Sequence, residues 1–230
     1  MQNLAIIPAR GGSKRIPKKN IKDFLGVPII KYSIEAALKS GCFDEVMVST
    51  DDQEIAALAK SSGAKVPYLR SAQNSQDKAI LVDVLIEVLL KYKKMGENFD
   101  YVCCLLPAAP FINSNKLWEG LKILRESQAS AVVPVIKFSH PIQRAFKIQN
   151  NRLKMVWPKN MPKNSQDFAP TYHDAGQFYW LKVDQFLRQK EFFPPDAVPI
   201  EMPESVVQDI DTLEDWKVAE SKYKILYNIK

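Results

Sequence analysis

The 230-residue chain reads as an α/β protein: a three-layer α/β/α arrangement whose helices cover both faces of a mostly parallel sheet. Three observations predict it. Short apolar runs such as NLAIIP (3–8), EVMVST (45–50) and YVCCLL (101–106) have the length of buried strands. They alternate with amphipathic stretches of roughly 10–15 residues. No internal repeat and no linker-like composition divides the chain, so a single domain spans 1–230.

Each element follows from local signals. Asn3–Pro8 is bounded by Pro8 and then Gly11-Gly12, a first strand feeding a loop over 9–20. Over Pro28–Lys39 the residues Ile30, Ile34, Ala37 and Leu38 recur at helical spacing, and Gly41 supplies the stop. Residues 45–50 form a second strand, and Asp51 and Asp52 can cap a helix whose apolar positions Ile55, Leu58 and Ala59 end at Gly63. A third strand is expected over Lys65–Leu69, then a helix through ILVDVLIEVLLKY (80–92). Tyr101–Leu106 is again a strand; beyond Pro107 and Pro110 come a helix over about 113–127 and a strand over Ala131–Ile136. Ala145–Trp157 contains two alternating stretches joined by Asn150-Asn151, a hairpin. Residues 158–171 are polar, proline-bearing and too irregular for a simple turn, which suits a lid or subunit-contact loop. A strand at Gly176–Leu181 and a short helix near Asp184–Gln189 follow. In the last helix Asp211 or Thr212 is the cap, with Glu214 or Asp215 three residues on as capping-box partner. In such sheets ligands sit beyond the carboxyl ends of the strands, where the loop over 9–20 falls.

The net charge of +6 is not spread over the chain. Arg10, Lys14, Arg15, Lys18, Lys19 and Lys22 lie within the first 22 residues, which hold no Asp or Glu, and the remainder is balanced. A focused anion site accounts for this better than the broad basic face of a nucleic-acid binder. No apolar run approaches the ~18 residues of a membrane span, and charge enters too early for a signal peptide, so the expectation is a cytoplasmic protein without membrane contact. Cys42, Cys103 and Cys104 form neither a disulfide framework nor a spaced zinc site and are expected in the core as thiols.

The strongest chemical signal is ARGGSKRIPKKN (9–20). After a strand, Gly11 and Gly12 permit backbone conformations that turn amides towards an anion, while Arg10, Lys14 and Lys19 add charge from several directions. A triphosphate is the natural guest, although the spacing matches neither a P-loop nor a dinucleotide fingerprint; a solvated basic loop is the plainer alternative. In QDIDT, Asp209 and Asp211 stand two apart, so an extended backbone puts both carboxylates on one face, a donor pair suited to Mg²⁺. Helix capping by Asp211 is the competing reading. His140 and His173 are the only histidines, and no nucleophile motif accompanies either, which leaves Ser/His or Cys/His hydrolysis unsupported. His173 stands in the polar cluster YHDAG (172–176) and can face a pocket or be structural; Phe192-Phe193 suit the core, and Arg144 a surface.

ARGGSKRIPKKN and QDIDT together resemble the cytidylyltransferases that activate nonulosonic, sialic-acid-like sugars, and the likeness runs over nearly the whole chain. HPIQRA (140–145) and TYHDAG (171–176) favour, within that family, the branch acting on pseudaminic acid. The resemblance implies a Rossmann-like nucleotidyltransferase fold and a Mg²⁺-dependent reaction. In it the anomeric hydroxyl of an acidic nine-carbon sugar attacks the α-phosphorus of CTP. It implies phosphate contacts from Arg10, Ser13, Lys14 and Lys19, Asn20 near the nucleotide, Arg70 and Asp77 near the base, and Mg²⁺ on Asp209 and Asp211; Arg10, Lys19, Asp209 and Asp211 would carry catalysis. Gln143, Arg144, His173, Tyr179, Phe192, Phe193 and Gln208 fall on the sugar side. The family also implies a homodimer in which the segment over 139–175 packs against the other subunit as a dimerisation and lid element.

Departures point to a sugar configured differently from sialic acid. Leu106-Pro107-Ala108 stands where sialic-acid enzymes carry Gln-Pro-Thr, His173 where they carry an arginine, and Ala175-Gly176 where they carry Asn-Gly. Legionaminic acid, sialic acid and Kdo remain alternatives within the chemistry; a nucleic-acid-binding module and a non-catalytic nucleotide sensor are alternatives outside it.

Overall fold

A computed structural model describes residues 1–76 and 78–229. In chain order it contains β1 (Asn3–Pro8), a short ribbon of β2 (Asp23–Phe24) and β3 (Val27–Pro28), α1 (Ile30–Ser40), β4 (Glu45–Ser49), α2 (Gln53–Ser61), α3 (Ala72–Ser75), α4 (Leu81–Lys94), β5 (Tyr101–Leu105), α5 (Ser114–Glu126) and β6 (Ala131–Lys137). The hairpin β7 (Phe146–Gln149) and β8 (Arg152–Met155) follows, then β9 (Tyr172–Asp174), β10 (Phe178–Lys182), α6 (Val183–Gln189), β11 (Val198–Glu201) and α7 (Leu213–Tyr227).

Among the described residues one seven-stranded sheet runs in the order β11-β6-β10-β5-β1-β4, with β9 added beside β6. β4, β1 and β5 pair in parallel, β10 runs antiparallel between β5 and β6, and β11 is parallel to β6 while β9 opposes it. Five of the seven strands therefore share one direction. Side-chain alternation divides the core into two layers. Ala5, Ile7, Val46, Val48, Cys103, Leu105, Phe178 and Trp180 pack under α1, α2 and α5; Leu4, Ile6, Met47, Val102, Cys104 and Leu181 pack under α4 and α6. The approach of α5 to the sheet demands Gly120, because a Cβ there would lie 2.7 Å from Cδ1 of Trp180, whose indole donates to the Leu117 carbonyl at 3.0 Å.

Local signals placed most elements. Asp52 caps α2 by accepting from the amides of Glu54 and Ile55, Gly41 ends α1 at φ +64°, and Asn150 and Asn151 turn the β7–β8 hairpin at φ +53° and +55°. One expectation is corrected, and one choice between two caps is decided. Lys65–Leu69 is not a strand: it touches β4 only through the bridge Met47 to Lys65, since Pro67 has no amide to extend a ladder. The last helix is capped by Thr212 rather than Asp211, with Asp215 completing the box. β9 and β11 belong to the sheet although neither is expected from the sequence. The three cysteines are buried and free. No helix among the described residues is long and apolar enough to cross a membrane.

Candidate active site

A third, smaller apolar cluster builds the site. Ile16 of the basic loop and Ile210 of the acidic segment, each 1% exposed, share it with Phe24, Phe111 and Trp216. Burying Ile210 forces its two neighbours, Asp209 and Asp211, to turn away from the cluster together. Burying Ile16 pins the middle of the loop that follows β1. Two segments about 190 residues apart in sequence thus meet, and Lys19 ties them: Nζ donates to the Ile210 carbonyl at 2.7 Å and lies 3.8 Å from Oδ1 of Asp211. Arg15 closes the same contact, with Nη1 2.7 Å from Oδ2 of Asp211. The left-handed backbone of Lys18, at φ +52°, separates neighbouring lysines, sending Lys18 outward to Glu54 at 2.6 Å and Lys19 inward.

Beyond the carboxyl ends of β1, β4 and β5 lies a cleft of about 290 Å³. Arg10, Ser13, Lys14, Arg15, Lys19 and Asn20 of the loop line it together with Arg70, Asn74, Gln76, Ala79, Leu81, Val84 and Pro107, and Nη1 of Arg10 lies 3.5 Å from the Gln76 carbonyl. Asn20 is buried and holds the loop by donating to the Arg10 carbonyl at 2.9 Å. Neither Gly11 nor Gly12 is among the lining residues. Gly11 is required by contact rather than by conformation: a Cβ would fall 2.6 Å from Oδ2 of Asp52, and its amide donates to Asp51 at 3.0 Å, so that amide is committed within the protein. Arg70 is buried, its Nε 3.0 Å from Oγ of Ser49 and its Nη2 bonded to the Ser49 carbonyl. Asp77 lies outside the described residues.

Electrostatics set the two carboxylates apart. Desolvation and then the like charge on Asp211 push the Asp209 carboxyl above its ordinary value, against the pull of Lys19. Burial lowers the Lys19 ammonium, and Asp211 and Asp209 oppose that shift.

A second depression, about 310 Å³, is lined by His173, Asp174, Gln208 and Asp209, with Lys137 and Lys222 at its margin. Asp209 belongs to it and Lys19 to the first cleft, so the acidic segment stands between the two. Tyr179 is buried and donates to the Asp174 carboxylate; its ring packs on Phe192 and Phe193, centroids 4.9 and 5.8 Å away. Phe192 is in the core, whereas Phe193 is 56% exposed. The His173 ring packs at a tilt against Phe138, centroids 4.7 Å apart. Gln143 and Arg144 line neither cavity: the Gln143 carbonyl accepts from Asn160 at 2.9 Å, and Arg144 Nη1 reaches Oγ of Ser165 at 3.1 Å, ties within their own segment. The sequence reading omitted Arg15, Asn74, Gln76 and Asp174 from the site. Arg15 and Asp174 stood inside quoted motifs, but their facing partners come from distant segments.

A mostly parallel sheet with a cationic cleft at its carboxyl edge and a carboxylate pair beside it suits a nucleotidyltransferase. The chain belongs to the cytidylyltransferase family, whose model matches residues 4–228. It is 42% identical over 226 residues to a pseudaminic acid cytidylyltransferase of Campylobacter jejuni, covering 98% of this chain and 97% of that one. It is 34% identical over 230 residues to a CMP-N,N'-diacetyllegionaminic acid synthase of Legionella pneumophila, covering 96% and 95%. Among solved structures, CMP:2-keto-3-deoxy-manno-octonic acid synthetase complexed with CTP shares the fold at a TM-score of 0.71 and 20% identity, with both chains fully covered. The fold and the family resemblance read from the motifs are both borne out.

Proposed function

We propose that the protein transfers the cytidine monophosphoryl group of CTP to the anomeric hydroxyl of a nonulosonic acid, pseudaminic acid in the first instance. The anomeric oxygen forms a bond to the α-phosphorus while the bond from that phosphorus to the bridging oxygen breaks, releasing pyrophosphate. The observation that carries this reading is Lys19, held between the Ile210 carbonyl and Asp211, which joins a cationic cleft to a carboxylate pair. The Campylobacter relative, at 42% identity over nearly the full length, supports the choice of sugar.

Arg10, Ser13, Lys14 and Lys19 would bind the phosphates, with Arg15 available once Asp211 turns to a metal. The donor set fits Mg²⁺: two hard carboxylates, Asp209 raised by burial and then by the charge on Asp211, are the kind of incomplete cage that Mg²⁺ shares with substrate phosphates and water. Asp209 and Asp211 would hold the ion, which when bound would neutralise the developing charge at the reacting phosphates. The chain's own contribution is positioning and electrostatics in a recessed cleft. His173, Gln208 and Tyr179, lining or bordering the second depression, would face the sugar, with Phe193 at its rim.

The same reading includes a homodimer and a cytoplasmic setting. In the β7–β8 hairpin Phe146 pairs with Met155 and Ile148 with Leu153, so one face is wholly apolar, while Lys147, Gln149, Arg152 and Lys154 form the other. Phe146, Ile148 and Leu153 are 55%, 76% and 71% exposed, and a lone two-stranded ribbon is marginal in water. A second copy packing on that face would bury it and bring Gln143 and Arg144 towards a sugar site.

The test is pyrophosphate release from CTP and Mg²⁺ with pseudaminic, legionaminic, sialic and Kdo sugars in parallel, and ATP, GTP and UTP as controls. Release with CTP and pseudaminic acid is expected. Release with another sugar would retain the reaction and replace the substrate; nucleotide binding with silence for all four would favour a sensor.

A further inference from the structure

The two carboxylates of the acidic segment are not held alike. Asp209 lines the second depression, whereas Asp211 lines neither cavity and is covered by two cations of its own chain, Arg15 at 2.7 Å and Lys19 at 3.8 Å. Those cations differ in how firmly they are placed. The Lys19 side chain is 24% exposed and tied to the Ile210 carbonyl at 2.7 Å, so it belongs to the join between the segments. The Arg15 side chain is 68% exposed and makes no other ion pair among the described residues.

The backbone beneath Arg15 is fixed while its arm is not. Ile16, the next residue, is sunk in the apolar cluster, and its carbonyl accepts from the Lys19 amide at 3.1 Å. Arg15 also lines the cleft beside Arg10, Ser13, Lys14 and Lys19. One guanidinium thus serves two places: the Asp211 carboxylate that it holds, and the cleft where phosphates would sit. A guanidinium keeps its charge at every working pH, so only a competing anion draws it off the carboxylate. Phosphate matches its planar fork at least as well as a carboxylate does, and an exposed ion pair is a weak tie that yields to such competition.

We propose that Arg15 gates the carboxylate pair: it covers Asp211 while no nucleotide is bound, and so opposes Mg²⁺, and it passes to the phosphates when a nucleotide enters, freeing the carboxylate. Nucleotide and metal then favour one another through a residue of the chain as well as through their own contact. Linkage makes the effect reciprocal: Asp211 withholds Arg15 from the nucleotide as much as the nucleotide releases Asp211. The inference rests on the nucleotide and Mg²⁺ readings above and adds the device that couples them.

The experiment is calorimetry on the full-length protein, Arg15→Gln, Asp211→Asn and the double variant, with CTP in EDTA and, separately, with Mn²⁺ in the absence of nucleotide. Without metal, Asp211→Asn should tighten CTP about fivefold where Arg15 is present and less than about twofold in the Arg15→Gln background. An equal gain in both backgrounds would reflect only the loss of a repelling charge and would overturn the gate. In the second arm Arg15→Gln should tighten Mn²⁺ about fivefold, whereas Lys14→Gln, which removes another cation lining the cleft, should change it by less than about twofold. Equal gains from the two variants, or no Mn²⁺ binding by any of the proteins, would overturn the gate while leaving CTP as ligand. If none of the proteins binds CTP, the nucleotide reading falls and the gate with it.

Discussion

The walls of the cationic cleft and the segment over 139–175 are built on opposite terms. The cleft is closed upon itself: Ile16 and Ile210 sink into one apolar cluster, Lys19 bridges the two segments, and Glu87 on α4 clamps the loop after Arg70 through Ser71 and Asn74. The hairpin segment turns apolar side chains outward, keeps Gln143 and Arg144 on internal partners, and leaves buried polar atoms, Oε1 of Gln143 and Oγ1 of Thr171, without any. One region is preorganised by a single chain. The other exposes an apolar ribbon face, and under the function proposed above the difference would separate nucleotide handling from sugar handling.

The largest effect that could break this contrast is at Lys19. Lys19→Ala should lower turnover by about 100-fold or more while the thermal midpoint stays near that of the unaltered protein, read by pyrophosphate release beside calorimetry. Full activity would mean that the join between loop and carboxylates is only structural. Next in size is a double change on the hairpin, Ile148→Asp with Leu153→Asp. It should shift the sedimentation profile to monomer and raise KM for the sugar, yet leave CTP affinity intact; a fall in CTP affinity would erase the distinction between the two regions.

A smaller contrast sharpens the reading of the acidic segment. Thr212→Ala should cost about 1 kcal/mol of stability with activity kept, because it removes the cap of α7. Asp211→Asn should do the reverse, losing Mg²⁺-dependent turnover with little change in denaturant midpoint. Smallest is the pH response of the Glu87 clamp. Desolvation would raise it, but Lys91, Ser71 and Asn74 hold its folded-state value below the ordinary 4.5, so its contribution is fully present above that value and disappears as pH falls towards about 2. The gap in thermal midpoint between the unaltered protein and Glu87→Gln should therefore narrow only in that acid window.

Most of the sheet and helices were legible because their signals are local. Asp52, Gly41 and the Asn150-Asn151 pair act within a few residues, and the alternation of strand-length and helix-length apolar runs sets which faces are buried. Lys65–Leu69 misled because apolar content says nothing about whether Pro67 can donate to a neighbour. β9 reads Tyr-His-Asp and is exposed throughout, so only its pairing with β6 makes it a strand. Thr212 and Asp211 were indistinguishable as caps until Arg15 and Lys19 claimed Asp211.

By itself the sequence determined the α/β architecture, the concentration of six cations near one end, the family and the paired carboxylates of QDIDT, all properties of spacing along one strand or loop. Tertiary structure alone decided that Lys19 and not Lys18 faces the cleft, that Gly11 is small because Asp52 crosses it, and that a glutamate on α4 holds Ser71 and Asn74. Those outcomes depend on which side chains become neighbours after the apolar clusters close. Contacts between segments far apart in the chain are chosen by packing and by the cost of leaving buried polar groups unpaired.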